Sequence, residues 1–238
     1  MTNRLVLFDI DGTILLTGGA GYRAMARAAV EVFGRDLPWH DIDSAGSLDP
    51  LILDEALQRE KVQATRAERE AFKEHYTRFF PAELKRHPLR VMPGVVDVIV
   101  SLSESTNHVV GVLTGNYEPT ARLKVEAAGI AWSHFRVGAF GDEAATRAGL
   151  VPIALSRYAR LHGTEIASGG VVIVGDTPKD IACAHASSCL AFGVGTGKFT
   201  AEVLLQAGAD AVAADLRDPS PLLEFLRSPC SVEPRNSS

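Results

Sequence analysis

The chain has 238 residues, of which 46% are hydrophobic and 22% are charged. This composition suits one large domain, or a domain that carries a smaller inserted one. Lys and Arg number 24 against 29 Asp and Glu, so the formal net charge is −5, which argues against a nucleic-acid-binding surface. The three cysteines form no CxxC pair, as in proteins of a reducing cytosol, and no apolar run approaches the roughly 20 residues of a membrane span. We therefore expect a soluble, cytoplasmic protein without nucleic-acid or membrane partners.

Short apolar runs along the chain have the pattern of buried strands, because they are continuous and do not alternate with polar residues. From the second run onward, helical segments separate the strands. Two of these helices begin at Pro119 and Pro178, and a third covers 146–161. Strands and helices in alternation predict an α/β fold, a doubly wound parallel sheet with helices on both faces. The predicted strands cover residues 5–8, 109–113, 135–140, 171–174 and 189–194.

Between the first two of these strands the pattern becomes purely helical. Helices are predicted to end at Gly34, to begin at Asp49-Pro50, and to run from a Thr65–Glu68 capping box to near Pro81. We therefore predict an inserted all-helical domain over residues 17–91. The α/β core domain comprises residues 1–16 and 92–227, and residues 228–238 are expected to form a disordered tail.

The first predicted strand ends in two carboxylates, Asp9 and Asp11, followed by Gly12. In an open α/β sheet, ligands bind beyond the carboxyl ends of the strands. Two carboxylates at this spacing point to the same side and repel one another unless a cation or a proton lies between them. The pair therefore suits a hard divalent cation, although an Asp-Gly turn without function has the same sequence.

Two further strand ends carry polar residues of the same kind. Thr114, Gly115 and Asn116 precede a helix, and a hydroxyl next to helix N-terminal amides can cradle an anion, although Gly-Asn is also an ordinary turn. Asp176 ends the fourth strand at the same edge of the sheet as Asp9. Asp180 follows, at the spacing of a capping box with Thr177, so a structural role and a functional one are both open.

Arg147 follows the third strand and is a candidate cation for the anion site. The alternative is a solvated helix residue that pairs with Glu143, four positions earlier.

Together these motifs resemble the haloacid dehalogenase-like hydrolase superfamily. Asp9-x-Asp11-Gly12-Thr13 is similar to its first motif, Thr114 to its second, and Gly175-Asp176-x-x-x-Asp180 to its fourth. The helical insertion resembles the cap of the phosphoglycolate-phosphatase-like branch. One feature departs from the pattern, because the third motif is usually lysine and Arg147 occupies that place. Arginine keeps the charge and offers a planar fork for phosphate oxygens, and Lys124 and Lys179 are rival cations.

The resemblance implies a Mg²⁺-dependent phosphatase that hydrolyses a small phosphorylated metabolite, phosphoglycolate-like or a sugar phosphate, through an aspartyl-phosphate. Asp9 is the implied nucleophile and Asp11 the acid–base, which dehalogenases of the superfamily lack. The implied Mg²⁺ ligands are the Asp9 and Asp176 side chains and the Asp11 carbonyl. Thr114, Gly115, Asn116 and Arg147 would bind the phosphoryl group, with Asp180 in support. A phosphosugar mutase and a non-enzymatic ligand-binding relative are the alternatives.

The inserted helices are expected to close over the substrate. Tyr22, Arg23, Arg27 and the turn over 46–49 are candidate pocket residues. The alternative for the two arginines is a solvated helix face.

Overall fold

A six-stranded parallel sheet forms the centre of the protein, as seen in a computed structural model that describes residues 4–86 and 88–228. The order of its strands is β5-β4-β1-β6-β7-β8, and a separate antiparallel pair joins β2 to β3. The described strands are β1 (Arg4–Phe8), β2 (Leu15–Leu16), β3 (Arg90–Val91), β4 (His108–Leu113), β5 (Val137–Ala139), β6 (Val171–Gly175), β7 (Leu190–Val194) and β8 (Ala211–Ala213).

Helices cover both faces of this sheet, so the predicted α/β fold is confirmed. Side chains of β1 alternate between the two faces: Val6 and Phe8 join the core beneath α4, α5 and α9, whereas Leu5 and Leu7 join the core beneath α6, α7 and α8. The described helices are α1 (Ala20–Phe33), α2 (Asp49–Arg59), α3 (Arg66–Leu84), α4 (Val95–Glu104), α5 (Glu118–Ala127), α6 (Leu150–His162), α7 (Pro178–Ala186), α8 (Ala201–Gln206) and α9 (Ser220–Arg227). None of them has the length and apolar character that crossing a bilayer requires.

The order of the strands creates a switch point at β1. From β1 the chain builds outward through β4 and β5, then crosses back to β6 and builds outward through β7 and β8 on the other side. Ligand crevices of open α/β sheets lie at such a reversal, outside the carboxyl ends of the strands. The ends of β1, β4 and β6 therefore adjoin one crevice.

The helical insertion leaves and rejoins this core through adjacent strands. Leu15 pairs with Val91 and Leu16 with Arg90, so the predicted boundaries at 16/17 and 91/92 fall at this two-stranded pair. Helices α1 and α3 pack closely against each other, around a buried aromatic group that includes Phe72, Tyr76 and Phe80. Side chains of the insertion thus form a third apolar cluster, to which Tyr117 of the α/β part also contributes.

Several predicted boundaries were wrong. The strand predicted over 135–140 is only Val137–Ala139, and the helix predicted from 146 begins at Leu150, because residues 142–149 form turns. Helix α3 continues through Pro81 to Leu84, since burial of Phe80 and packing on α1 offset the one hydrogen bond that the proline cannot make.

Other local differences concern elements too short to leave a clear pattern. Asp49 lies inside α2, with Leu48 as its N-cap, whereas the Thr65–Glu68 capping box is confirmed. Strand β8 was not predicted, because its apolar run is short and consists of small residues, and β2 and β3 were missed because each has only two residues. The predicted disordered tail lies outside the described residues, apart from Ser228.

Candidate active site

A cavity of about 610 Å³ lies between the carboxyl edge of the sheet and the helical insertion. Asp9 and Asp11 follow β1, Thr114 follows β4, and Asp176 follows β6, and all of them line the cavity. The Asp9 amide donates to Val174 O (2.9 Å) and the Thr114 amide to Ala139 O (3.1 Å), so ladder hydrogen bonds extend to the residues that carry the functional side chains. The structure therefore brings the first, second and fourth motifs to one site.

Three buried carboxylates form the centre of this site. Oxygens of Asp9, Asp176 and Asp180 all lie within 4.8 Å of one another. Burial raises the pKa of Asp176 to about 8, and the carboxylates of Asp9 and Asp180 add to the shift. Burial also raises the pKa of Asp9 to about 6, against the opposing effect of the Arg147 guanidinium. Negative charge is thus crowded where water cannot screen it.

Arg147 lies against this cluster from the turns that precede α6. Its Nη2 is 3.1 Å from Asp9 Oδ1 and 2.5 Å from Asp180 Oδ1. Burial disfavours its charge, but Asp180 and Asp9 more than offset this and raise the pKa of the guanidinium. Glu143 pairs instead with Arg157 (2.5 Å), so the alternative of an Arg147–Glu143 helix pair was wrong.

Asp180 belongs both to the capping box of α7 and to the cluster of buried carboxylates. Its Oδ2 accepts hydrogen bonds from the Thr177 amide (3.0 Å) and hydroxyl (2.7 Å), which caps α7, while its Oδ1 accepts from Arg147. The structural and functional readings of Asp180 are therefore compatible, because each uses a different oxygen.

The Asp11 side chain turns away from the cluster and contacts residues of the β4–α5 region. Lys124 Nζ lies 2.8 and 2.6 Å from its two oxygens. Asn116 Nδ2 donates to Asp11 Oδ2 (2.7 Å) and to Thr114 Oγ1 (2.8 Å), and Asn116 Oδ1 accepts from Lys124 (2.5 Å). Lys124 thus holds Asp11 and Asn116 together.

The two rival cations differ in position. Lys124 is buried and lines the cavity. Lys179 is not among the lining residues and donates to Ser47 Oγ (2.9 Å) on the helical insertion. The structure therefore places Lys124 and Arg147 in the site and leaves Lys179 outside the lining.

The donor set of this site fits a hard divalent cation. Asp9 and Asp176 provide carboxylate oxygens of the kind such ions prefer, and these oxygens lie within 4.8 Å of each other in a buried cluster. Asp180 is less suited as a ligand, because both of its oxygens already accept hydrogen bonds. Gly12, at φ 84°, and Gly197 pack so closely on Asp176 that a Cβ at either would lie 2.2 and 1.7 Å from its Oδ2, so backbone surrounds the carboxylate.

The helical insertion forms the opposite wall of the cavity. Tyr22 lines it, and its hydroxyl hydrogen-bonds to Ser44. Arg23 and Arg27 are not among the lining residues, because both side chains point to the buried carboxylate of Glu83 (3.4 and 2.9 Å). Of the three candidate cap residues, the structure therefore brings only Tyr22 to the cavity.

The turn over 46–49 lies directly against the second motif. The Asp49 amide donates to Gly115 O (2.7 Å), and the Tyr117 amide donates to Asp49 Oδ2 (3.1 Å). A Cβ on Gly115 would be 1.9 Å from Ser47 O, so glycine permits this approach. The Gly115 carbonyl is thus used to hold the insertion.

Sequence reasoning did not identify the partners of two cavity residues, Lys124 and Asp49. Lys124 shares a buried face of α5 with Ala121 and Val125, and a lysine at a core position of an amphipathic helix indicates a buried partner. Asp49 was interpreted as a helix cap because it precedes Pro50. Its contact with Tyr117 joins residues 68 positions apart, and no local pattern indicates such a contact.

Comparison with protein families finds a match to the haloacid dehalogenase-like hydrolase family over residues 6–185. Comparison with curated protein sequences finds no match.

Similar solved structures cover nearly the whole chain. One is a predicted phosphoglycolate phosphatase from Haemophilus somnus 129PT, with 20% identity, 94% of this chain and 98% of that chain covered, and a TM-score of 0.65. CbbY from Rhodobacter sphaeroides in complex with phosphate has 17% identity, 91% and 96% coverage, and a TM-score of 0.70. A Thermotoga maritima protein, provisionally described as a β-phosphoglucomutase, has 18% identity, 94% and 99% coverage, and a TM-score of 0.59. At these identities the likeness establishes the shared fold.

The family match spans the first, second and fourth motifs, and those motifs converge on one cavity in a fold that the solved structures share. This chain belongs to the haloacid dehalogenase-like hydrolase family.

Proposed function

We propose that the protein is a Mg²⁺-dependent phosphatase that hydrolyses a small-molecule phosphate monoester, phosphoglycolate-like or a sugar phosphate, through an aspartyl-phosphate intermediate. The observation that carries this proposal is the convergence of Asp9, Asp11 and Asp176 with Arg147 in one cavity. Carboxylates suited to a nucleophile, an acid and metal ligands lie there beside a fixed positive charge for phosphoryl oxygens.

The Asp9 and Asp176 side chains, with the Asp11 carbonyl, would hold Mg²⁺. The ion, when bound, offsets the repulsion between the carboxylates and the phosphate dianion. Asp9 forms a bond to phosphorus as the ester P–O bond breaks, which is nucleophilic catalysis by a carboxylate. Arg147, 3.1 Å from Asp9, orients that carboxylate and stabilises charge on the phosphoryl oxygens.

Asp11 acts in this scheme first as the general acid and then as the general base. In its neutral form it protonates the departing alkoxide, and as a carboxylate it then accepts a proton from the water that cleaves the aspartyl-phosphate and releases inorganic phosphate. Lys124 and Asn116, which contact Asp11, fix its position. A halide leaves without a proton, so an acid at this position favours phosphoryl transfer over carbon–halogen cleavage.

Phosphate release from p-nitrophenyl phosphate and from an alkyl phosphate, with and without Mg²⁺, tests the proposal. We expect Mg²⁺-dependent release, abolished by Asp9→Asn and reduced about 100-fold or more by Asp11→Asn. The Asp11→Asn loss should be larger for the alkyl ester, whose leaving group needs the proton more. Asp54→Asn is the control, because Asp54 is exposed on α2 and pairs with Arg69.

The alternatives predict other results. A phosphosugar mutase would return the phosphoryl group to a sugar with little free phosphate, and a ligand-binding relative would release none. Full turnover by Asp11→Asn on alkyl esters would show that the acid–base assignment is wrong.

A further inference from the structure

The half of the cavity that faces the helical insertion is lined mostly by apolar and aromatic side chains. We call it the leaving-group chamber and define it by Tyr22, Met25, Ile42, Asp49, Ile52 and Tyr76, all of which line the cavity. With the phosphoryl group at the ends of β1, β4 and β6, the ester substituent would extend into this chamber. Most of the chamber is apolar or aromatic, so it can pack against uncharged groups of the substrate.

The two arginines of α1 are not part of the chamber. Arg23 and Arg27 both contact the carboxylate of Glu83 on α3, and Arg23 Nη1 also donates to Gly18 O. The described lining contains three cations, at positions 124, 147 and 198. The side chain of Lys198 is 68% exposed, and its Nζ lies 3.7 Å from Asp43 Oδ1. Lys124 and Arg147 are engaged by Asp11, Asp9 and Asp180. Among the described lining residues, the two buried cations are therefore paired with carboxylates, and the third, Lys198, is largely exposed to solvent and does not belong to the chamber.

The chamber itself contains an acidic group. Asp49 is buried, and its Oδ2 accepts the Tyr117 amide. Burial raises the pKa of Asp49 to about 7, against the opposing effects of Lys124 and the Tyr117 amide, and the negative charges of Asp11 and Asp142 add to the shift. The same burial would disfavour a substrate carboxylate in the chamber, and an ionised Asp49 would repel it.

The formal charge of the whole cavity lining also disfavours a second anionic group on the substrate. Described lining residues include five carboxylates, at positions 9, 11, 43, 49 and 176, and three cations, at positions 124, 147 and 198. A divalent cation would bring this formal balance to zero, and a bound phosphate dianion would make it negative again. A second anionic group on the substrate would therefore add to a net negative charge in the cavity.

We propose that the substrate of this enzyme is a phosphate ester of an uncharged alcohol with apolar and hydroxyl surface, and that esters carrying a second anionic group are disfavoured. The inference rests on the proposed phosphatase function and selects the sugar-phosphate type over the phosphoglycolate type. Asp49, together with the hydroxyls of Tyr22 and Ser44, supplies hydrogen-bond partners for substrate hydroxyls.

A matched pair of esters tests this selection. Hydroxyethyl phosphate and phosphoglycolate have the same length and differ in a terminal hydroxymethyl or carboxylate group. We expect kcat/KM for phosphate release to be at least about tenfold higher for hydroxyethyl phosphate, because one uncompensated charge at close range changes an equilibrium or a rate by about that factor.

Removal of the negative charge of Asp49 should reduce the ratio of kcat/KM for hydroxyethyl phosphate to kcat/KM for phosphoglycolate. Asp49→Asn keeps a side-chain oxygen for the Tyr117 amide, and we expect it to narrow the ratio about tenfold by improving use of phosphoglycolate. Asp54→Asn lies on the same helix outside the cavity, removes the same charge, and should leave the ratio unchanged. Asp43→Asn is a second test variant whose folding is secure, because its side chain is 70% exposed; a smaller narrowing is expected there.

The outcomes separate the two proposals. If phosphoglycolate is used as well as hydroxyethyl phosphate, or better, the substrate inference is wrong and the phosphatase function stands. If Asp49→Asn and Asp43→Asn both change the ratio no more than Asp54→Asn, the chamber charge is not its cause and the inference fails. If neither ester, nor p-nitrophenyl phosphate, releases phosphate, the proposed function is wrong and this inference falls with it.

Discussion

Arg147 and Lys124 are buried cations in the cavity, and each contacts a different carboxylate of the first motif. Arg147 binds Asp9 and Asp180, whereas Lys124 binds Asp11 and Asn116. The departure from the usual lysine of the third motif therefore leaves two candidates for the phosphate-site cation. Arg147 lies against the proposed nucleophile, so we assign it the larger effect on turnover.

Replacement of Arg147 by alanine should cut kcat far more than replacement of Lys124, by about 100-fold or more, because charge on the transferring phosphoryl group would lose its nearest cation. Steady-state kinetics of the two variants provides the measurement. Arg147→Ala also leaves Asp180 buried without its partner, which costs about 3–5 kcal/mol of stability. Arg147→Lys therefore serves as the control, with partial activity expected. Equal, small losses for both alanine variants would remove Arg147 from the site.

At the scale of elements, the start of α2 is joined to the loop after β4. The Asp49 amide and carboxylate make hydrogen bonds to Gly115 and Tyr117, and Gly115 has no side chain to obstruct the approach of Ser47. The insertion therefore contacts the same loop that carries Thr114 and Asn116. The position of the insertion and the position of this loop are therefore linked by direct contacts.

On helix α1, Tyr22 lines the cavity and Arg27 contacts α3, so substitutions at these two positions should behave differently. Tyr22→Phe removes the hydroxyl that bonds Ser44, so we expect altered relative kcat/KM values over a panel of phosphate esters, with unchanged dependence on Mg²⁺ concentration. Arg27→Ala should leave substrate preference unchanged, because Arg27 contacts Glu83 outside the lining. Loss of Mg²⁺ binding in Tyr22→Phe, or a shift of preference in Arg27→Ala, would contradict this layout.

For the whole molecule, the important electrostatic feature is that several carboxyl groups are buried with raised pKa values. Those of Asp9, Asp49 and Asp176 are about 6, 7 and 8. A carboxyl whose folded-state pKa is raised binds protons more tightly in the folded state. Its contribution to stability is therefore complete below the unfolded pKa near 4 and is lost as pH rises through the folded pKa. His108, whose pKa is lowered chiefly by burial, acts in the opposite sense.

We therefore expect the free energy of unfolding, measured by urea denaturation in a metal chelator, to fall between about pH 5 and about pH 8. Excess Mg²⁺ should reduce this fall, because the cation replaces the protons on Asp9 and Asp176. Asp176→Asn should show a smaller fall and a weaker response to Mg²⁺, with Asp54→Asn as the control. A stability in chelator that stays level or rises over this range would contradict the assignment.

The fold and the candidate site differ in how much of each could be predicted from the sequence. Continuous apolar runs predicted five of the six strands of the parallel sheet, because strands covered on both faces need such runs to fill two cores. Three small residues in β8 and the two-residue strands β2 and β3 carry too little pattern to detect. Residues 146–149 were interpreted as the start of a helix, although in the structure they belong to turns that hold Arg147 against Asp9 and Asp180.

Sequence alone was sufficient for the family and for the residues at the ends of β1, β4 and β6, since a parallel sheet brings those ends to one edge whatever the intervening chain does. Only the tertiary structure decided the partners of the charged groups. Lys124 meets Asp11, Arg147 meets Asp9, Arg23 and Arg27 meet Glu83, and Asp49 meets Tyr117. Such pairs join residues far apart in the chain, and their formation depends on how the helices pack, which local sequence patterns do not encode.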